Sequence, residues 1–150
     1  MRSVVQRAEK AFIFIGEKEI SRINRGLLVF LGVEKGDGEA DADYLSDKIA
    51  HLRIFDDPEG KMNRSLLDIQ GEILVVSQFT LLGDCRKGRR PSFTAAEDPE
   101  PAKRLYEYFI KKTRETIDHV GQGEFQALMS VHLVNDGPVT MLLDSRKRSG

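Results

Sequence analysis

The chain has 150 residues, of which 40% are hydrophobic and 31% are charged, a composition typical of a single globular domain with a hydrophobic core. Its apolar runs are too short for a membrane-spanning helix, and its N-terminal segment loses apolar character too early for a signal peptide. The net charge of −1 excludes nucleic-acid binding by the whole surface, so such binding would require a local basic patch.

The first third of the chain has the pattern of antiparallel strands followed by a buried strand and a helix. Apolar residues alternate and then cluster over residues 2–15, and a short return strand follows a turn at residues 16–18. A continuous apolar run at residues 27–33 predicts a strand covered on both faces. Apolar residues at helical spacing then extend to Leu52 and predict an amphipathic helix on the sheet. Arg7 interrupts the first strand, and the pattern alone favours a solvent-facing arginine there.

Two adjacent aspartates, Asp56 and Asp57, lie in a cluster of turn-forming residues. Carboxylates can bind metals, but no histidine or cysteine lies nearby at ligand spacing. We therefore expect a turn at this position and no metal site.

A second buried strand is predicted at residues 73–76, and its character changes at its end. Ser77, Gln78 and Thr80 place polar groups where a buried strand would stay apolar. Buried polar groups without partners cost free energy. The strand therefore either reaches the surface here or ends in a binding site, as strands of α/β sheets often do. The residues alone leave both interpretations open.

A flexible basic loop follows this strand end. It contains four cations within five residues, Arg86, Lys87, Arg89 and Arg90. Such a run is usually solvated, but its position beyond the polar strand end favours phosphate binding. The single cysteine, Cys85, excludes an internal disulfide and indicates a reducing compartment. Its neighbour Arg86 would favour a depressed pKa, but no motif histidine accompanies it.

The last third of the chain begins with a strong helix start at residues 98–101, where an aspartate precedes a proline. Loose alternation predicts a strand over residues 125–134, a tight turn at residues 135–138 and a last strand at residues 139–143. Residues 146–150 form a basic tail that we expect to be disordered.

The predicted element order is β-β-(β-α)-(β-α)-β-β, which indicates the α/β class. Both helices connect strands, so a mixed sheet with the helices on one face is expected. The sequence contains no internal repeat and no linker that would separate two domains. We therefore expect one domain over residues 1–145, followed by the tail.

Two short motifs, at residues 77–81 and 135–140, resemble the signature motifs of the D-aminoacyl-tRNA deacylases, formerly called D-tyrosyl-tRNA deacylases. The resemblance extends along nearly the whole chain, with further matches at residues 1–7, 25–29, 60–63 and 87–93. Each motif alone is weak, but together, in order and with compatible spacing, they are specific. The basic tail extends beyond the usual family ending, so no role is assigned to it.

The resemblance implies a three-layer α/β fold and a cytoplasmic homodimer without metal or organic cofactor. It implies hydrolysis of the ester that links a D-amino acid to the terminal adenosine of tRNA. Glycine mischarged on tRNA-Ala is an expected second substrate, whereas L-aminoacyl-tRNA is expected to be rejected. The partners would be the acceptor end of aminoacyl-tRNA and a second copy of the chain, with no DNA and no membrane.

The resemblance also assigns roles to particular residues. The catalytic group is implied at four adjacent positions, Ser77, Gln78, Phe79 and Thr80. A chirality filter is implied at a cis Gly137–Pro138 peptide that enters the partner subunit's site. Arg7 is expected to lie nearby and fix this peptide. We expect Phe125 and Met129 either to wall the adenosine pocket or to belong to the ordinary core. We expect the four loop cations, Arg86, Lys87, Arg89 and Arg90, to contact acceptor-stem phosphates.

The sequence contains no motif for side-chain catalysis, such as Gly-x-Ser-x-Gly or His-Glu-x-x-His. An aminoacyl ester is already activated, so it needs mainly a positioned nucleophile and donors for the developing oxyanion. Backbone N–H groups around Phe79 and Thr80 can supply those donors. The resemblance suggests that the 2′-hydroxyl of the substrate assists the attacking water.

Two other classes of function stay open at this point. The basic loop would serve a non-catalytic nucleic-acid-binding module, although a pure binding sheet should present exposed aromatic side chains for stacking. Cys85 would serve a thiol enzyme, which requires that Cys85→Ser abolish activity.

Overall fold

The computed structural model describes residues 1–148. Its strands are β1 (Arg2–Ile15), β2 (Lys18–Ile23), β3 (Gly26–Gly32), β4 (Phe55–Asp56), β5 (Met62–Arg64), β6 (Glu72–Ser77), β7 (Val120–Gln122) and β8 (Ser130–Asp144). The helices are α1 (Glu39–His51), α2 (Pro99–Arg114) and a 3₁₀ turn (Phe79–Leu82). β4 and β5 pair with each other, and the other six strands form one mixed sheet. The predicted α/β class is confirmed.

The sheet is organised around β1. One edge of β1 pairs with β8, and the other pairs with β3 along its first half and with β2 along its second half. β6 lies parallel between β3 and β7. Parallel neighbours need a crossover connection, and α1 and α2 supply one each, as the sequence predicted.

The hydrophobic core has two parts, one on each face of β3 and β6. The helices cover one face, where Leu45 and Phe109 are completely buried. On the other face, Ile13 of β1 and Ile23 of β2 pack with Leu74 of β6. The second half of β1 and β2 therefore fold back over the sheet and make a third layer. Each such buried side chain contributes about 1.5–3 kcal/mol.

The end of the chain differs from the prediction in three respects. β7 (Val120–Gln122) lies where no strand was predicted. The two strands predicted around residues 135–138 are one strand, β8, because both halves pair with β1. Ala8 lies opposite Asn135 and Gln6 lies opposite Thr140, so residues 136–139 bulge out opposite a single residue of β1. The strand predicted from Phe125 also begins later, at Ser130, and a loop precedes it.

The described part of the predicted tail contacts the domain. Arg146 forms ion pairs with Glu34 at 3.3 Å and Asp37 at 3.2 Å, and the Arg148 guanidinium lies 4.4 Å from the centre of the Tyr44 ring. Ser149 and Gly150 lie outside the described residues. The domain boundary at residue 145 and the disorder of the tail stay predictions.

Candidate active site

The polar stretch after β6 forms a tight turn at the end of the central strand. The Gln78 N–H donates to the Leu31 carbonyl at 2.8 Å and so extends the pairing of β6 with β3 by one residue. The chain then enters the 3₁₀ turn, in which the Leu81 N–H donates back to the Gln78 carbonyl at 3.2 Å. The Gln78 amide also donates to the Thr80 hydroxyl. The turn is therefore rigid and anchored in the sheet.

The backbone N–H groups of Phe79 and Thr80 are free donors at this turn. They are the first two of the 3₁₀ turn, and no hydrogen bond within residues 1–148 engages them. The first N–H groups of a helical turn have no partner inside it. Two adjacent fixed donors are suited to stabilise a negatively charged oxygen.

A cavity of about 800 Å³ opens at this strand end. Its lining includes several of the predicted site residues, Ser77, Gln78, Phe79, Phe125 and Met129. Phe93, just beyond the basic loop, also lines it and was assigned no role from the sequence. The structure thus brings together residues separated by some 50 positions, with Thr80 adjoining the lining.

The wall that carries Phe125 and Met129 is held by Tyr106 of α2. The buried Tyr106 hydroxyl is 3.1 Å from both the Val75 and the Gly123 carbonyl oxygens, and its ring lies 5.9 Å from that of Phe125. A side chain at Gly123 would come within 2.8 Å of the Met129 sulfur. Burial raises the pKa of Tyr106, so the phenol stays neutral and can donate. The sequence pattern assigned no role to this tyrosine.

Arg7 is buried, which corrects the interpretation of a solvent-facing arginine. Its Nη1 donates to the Ile54 carbonyl at 2.8 Å, and the guanidinium forms ion pairs with Asp136 at 3.1 Å and with Asp56 at 3.6 Å. A Cβ at Gly137 would lie 3.0 Å from Arg7 Nη2. Arg7 therefore supports the bulge of β8 from inside the protein.

The Gly137–Pro138 peptide is cis and both residues are exposed. Gly137 has φ 119°, a conformation that favours glycine. Neither residue lines the cavity at the end of β6. Within one chain, the predicted filter and the predicted catalytic group therefore lie at different places.

The basic loop forms a hairpin closed by two backbone hydrogen bonds between Asp84 and Ser92, at 2.7 and 3.0 Å. Arg86 donates to the Asp84 carboxylate and lowers the pKa of Asp84 to about 2. The positive charge of Arg86 is therefore compensated. The remaining cations are Lys87, Arg89 and Arg90. They are exposed and form no ion pair with any described residue. Cys85 is exposed in the same hairpin.

None of the three histidines lines the cavity. Their neighbours are Asp47 for His51, Glu72 for His119 and the ring of Phe12 for His132.

Among residues 1–148, no group of three or more His, Cys, Asp or Glu side chains is arranged to hold a metal ion. Asp57 accepts hydrogen bonds within its own turn, as expected. No helix in the described part of the chain is long and apolar enough to cross a membrane.

The sequence matches the D-Tyr-tRNA(Tyr) deacylase family over residues 4–144. The D-aminoacyl-tRNA deacylase of Syntrophus aciditrophicus (strain SB) is 64% identical over 147 residues, which cover 98% of this chain and 99% of that protein. The D-aminoacyl-tRNA deacylase of Thermosipho melanesiensis (strain DSM 12029 / CIP 104789 / BI429) is 60% identical over 148 residues, with the same coverage.

Two solved structures resemble this fold. One is described as a c-Myc DNA unwinding element binding protein, with a TM-score of 0.92, 41% identity and coverage of 96% of this chain and 98% of that chain. The other is described as a probable eukaryotic D-amino acid tRNA deacylase, with a TM-score of 0.79, 19% identity and coverage of 95% and 97%. The second similarity supports the fold alone.

Proposed function

Because the chain belongs to the D-Tyr-tRNA(Tyr) deacylase family, we propose that the cavity at the end of β6 binds the 3′ end of D-aminoacyl-tRNA and hydrolyses its ester bond. Family membership makes the chain a hydrolase acting on D-aminoacyl-tRNA. The observation that carries the location is the pair of free backbone N–H groups of Phe79 and Thr80 beside the cavity.

In the proposed reaction, water attacks the carbonyl carbon of the ester and the two N–H groups stabilise the oxyanion that forms. Collapse of this intermediate releases the free D-amino acid and the hydroxyl of the terminal ribose. Removing one oxyanion donor in other hydrolases costs about 10²–10³ in kcat. Because these donors are backbone groups on a turn anchored in the sheet, no side chain of the turn has to supply them.

The proposed reaction needs no side-chain base. A threonine nucleophile normally requires an adjacent base, and the Thr80 hydroxyl instead accepts a hydrogen bond from the Gln78 amide. The substrate's own 2′-hydroxyl is the proposed aid to the attacking water. Free Cys85 lies in the basic hairpin and outside the cavity lining, which disfavours the thiol enzyme.

We propose that Gly137 and Pro138 of the partner subunit complete the site as a chirality filter. The backbone of this bulge would exclude an L side chain, while a D side chain would point away from it. The support is the position of Arg7, which is buried against Gly137 and paired with Asp136. Because a filter by exclusion cannot reject a substrate without a side chain, glycyl-tRNA mischarged on tRNA-Ala should also be cleaved.

The proposed filter requires a homodimer, and two features of β8 support one. Its outer edge is unpaired within residues 1–148, although it is 15 residues long. Leu142 and Val134 on this strand are 80% and 40% exposed. Long free edges and exposed apolar residues are typical of subunit interfaces. Since aminoacyl-tRNA is made and used in the cytoplasm, that is the proposed location.

Two further parts of the substrate have proposed contacts. Phe125 and Met129 wall the region of the terminal adenosine, since both line the cavity. Lys87, Arg89 and Arg90 contact acceptor-stem phosphates, since they are exposed and uncompensated by described residues. Arg86, which was grouped with them from the sequence, contributes less because Asp84 already pairs with it.

The decisive experiment compares deacylation of D-tyrosyl-tRNA, L-tyrosyl-tRNA and glycyl-tRNA-Ala by the purified protein. We expect rapid hydrolysis of the D and glycyl substrates and little of the L substrate. Similar rates on D- and L-tyrosyl-tRNA would contradict the filter, while slow glycyl cleavage would contradict selection by exclusion. Sedimentation velocity on the same preparation tests the dimer.

A nucleic-acid-binding module without catalysis is the second candidate. It is favoured by the DNA-binding description of the solved structure at 41% identity and by the uncompensated cations of the hairpin. This candidate predicts DNA binding that is as tight as tRNA binding, and no hydrolysis of D-tyrosyl-tRNA. A gel-shift titration beside the deacylation assay separates the two candidates.

A further inference from the structure

Two exposed aromatic rings meet at the cavity beside the 3₁₀ turn. Phe79 is 57% exposed and Phe93 is 39% exposed, and both line the cavity. Their ring centres lie 5.3 Å apart with an angle of 72° between the planes. In this edge-to-face arrangement, each ring keeps at least one face that the other does not cover. Exposed apolar groups at a cavity mark binding surfaces.

The Phe93 ring is held in place by its surroundings. The hydrogen bonds between Asp84 and Ser92 close the hairpin immediately before it. The ring edge lies against the backbone of Gly83, where an added Cβ would come within 3.0 Å of Phe93 Cε1. An aromatic surface fixed in this way loses little conformational entropy when it binds a flat ligand.

The same hairpin supplies the charge that a nucleic-acid strand requires. Lys87, Arg89 and Arg90 lie three to six positions before Phe93 and are exposed. Sites for single-stranded nucleic acid combine cations along the backbone with aromatic rings on which bases stack. A hairpin with three uncompensated cations followed by a fixed, exposed ring has both parts of this arrangement.

We propose that Phe93 stacks against the base of the nucleotide that precedes the terminal adenosine of the substrate. This assignment rests on the proposed function, in which the cavity takes the adenosine against Phe125 and Met129. The strand then leaves the cavity past Phe93 towards the cations of the hairpin. Phe93 is thus a substrate-binding residue that contacts the base next to the adenosine and contributes to affinity for RNA.

Binding of uncleavable analogues tests this directly by titration calorimetry. One analogue is adenosine carrying D-tyrosine through an amide, and the other is the trinucleotide C-C-A carrying the same group. We expect wild type to bind the trinucleotide more tightly, and Phe93→Leu to reduce that gain by roughly 5- to 150-fold, the contribution of one stacked base. Phe93→Tyr keeps the ring and should retain the gain. Phe14→Leu, a partly exposed phenylalanine outside the cavity, is the matched control.

Three results would overturn the assignment. Equal weakening of both analogues by Phe93→Leu means that the ring only shapes the cavity. No gain from the trinucleotide in wild type means that no further base is bound. A change from dimer to monomer in Phe93→Leu, by sedimentation, means that the ring belongs to a subunit interface. A trinucleotide gain that needs Phe93, in a protein that does not deacylate D-tyrosyl-tRNA, would support the stacking and contradict the proposed hydrolysis.

Discussion

Tyr106→Phe should weaken both the fold and the cavity wall. The change removes only a hydroxyl whose oxygen lies 3.1 Å from the Val75 and Gly123 carbonyl oxygens. Val75 keeps a hydrogen bond from the Gly123 N–H at 2.9 Å. The Gly123 carbonyl loses its phenol partner in a buried environment, which costs about 1–2 kcal/mol. For a chain of this size, that corresponds to a decrease in Tm of about 2–8 °C.

The functional effect should fall mainly on KM. Gly123 precedes Phe125 and packs against Met129, so a loosened Gly123 displaces the wall while the turn at Phe79 stays intact. We expect a rise in KM for D-tyrosyl-tRNA of less than about tenfold, because the wall is displaced and not removed, with kcat nearly unchanged.

Tyr108→Phe is the matched control on the same helix. The Tyr108 hydroxyl donates to Asp43 at 2.7 Å in an exposed position, and this bond raises the pKa of Tyr108 to about 12. Because solvent screens an exposed hydrogen bond to a carboxylate, its loss should change stability less than Tyr106→Phe does. The comparison is the urea midpoint of unfolding of wild type, Tyr106→Phe and Tyr108→Phe. Equal midpoints for both variants would refute the argument that the buried phenol holds the wall.

Other predictions address the turn, the hairpin and the bulge of β8. Thr80→Ala should retain substantial single-turnover deacylation, because the backbone N–H survives the change; a trapped acyl-enzyme at Thr80 would contradict this. Neutralising Arg89 and Arg90 should raise KM and reduce the salt slope by about 0.7–0.9 for each lost phosphate contact. Arg86→Gln should have a smaller effect, and salt slopes that stay at the wild-type value in all of these variants would show that the hairpin is merely solvated. Asp136→Asn should lower stability, since it removes a charge partner of a buried arginine, but by less than the roughly 3–5 kcal/mol of a fully buried pair, because Asp136 itself is 34% exposed. It should also lower the ratio of D- to L-tyrosyl-tRNA cleavage. An unchanged ratio would show that the Arg7–Asp136 ion pair does not support the chirality filter.

Much of the fold was predictable because the relevant signals are local. Continuous apolar runs marked β3 and β6 as strands buried on both faces, and the structure buries both in the sheet interior. The Asp98–Pro99 pair marked the start of α2, which begins at Pro99. Turn chemistry at Asn135–Pro138 marked a break, but it could not show that the chain resumes the same strand. That outcome depends on pairing with β1, a partner more than 100 positions away.

The site was predictable from its motifs only in part. The resemblance identified residues 77–80 and 137–138, and hydrophobic patterning placed the first group at a strand end. Patterning placed Arg7 in solvent, because one charge in an apolar strand is normally exposed. The structure buries it, because the bulge of β8 supplies Asp136 and the β4 segment supplies Asp56 as partners.

The sequence by itself determined the class of fold, the two central strands, the two helices that follow them and the polar end of the second of these strands. These properties follow from periodicity and turn chemistry within short windows of the chain. Only the tertiary structure decided that Phe93, Phe125 and Met129 share one cavity with Ser77, and that Tyr106 holds its wall. It also decided that Asp84 cancels the charge of Arg86 but not of the other hairpin cations. Burial, free donors and charge compensation depend on groups that are distant in sequence or oriented by the turn, so no local pattern encodes them.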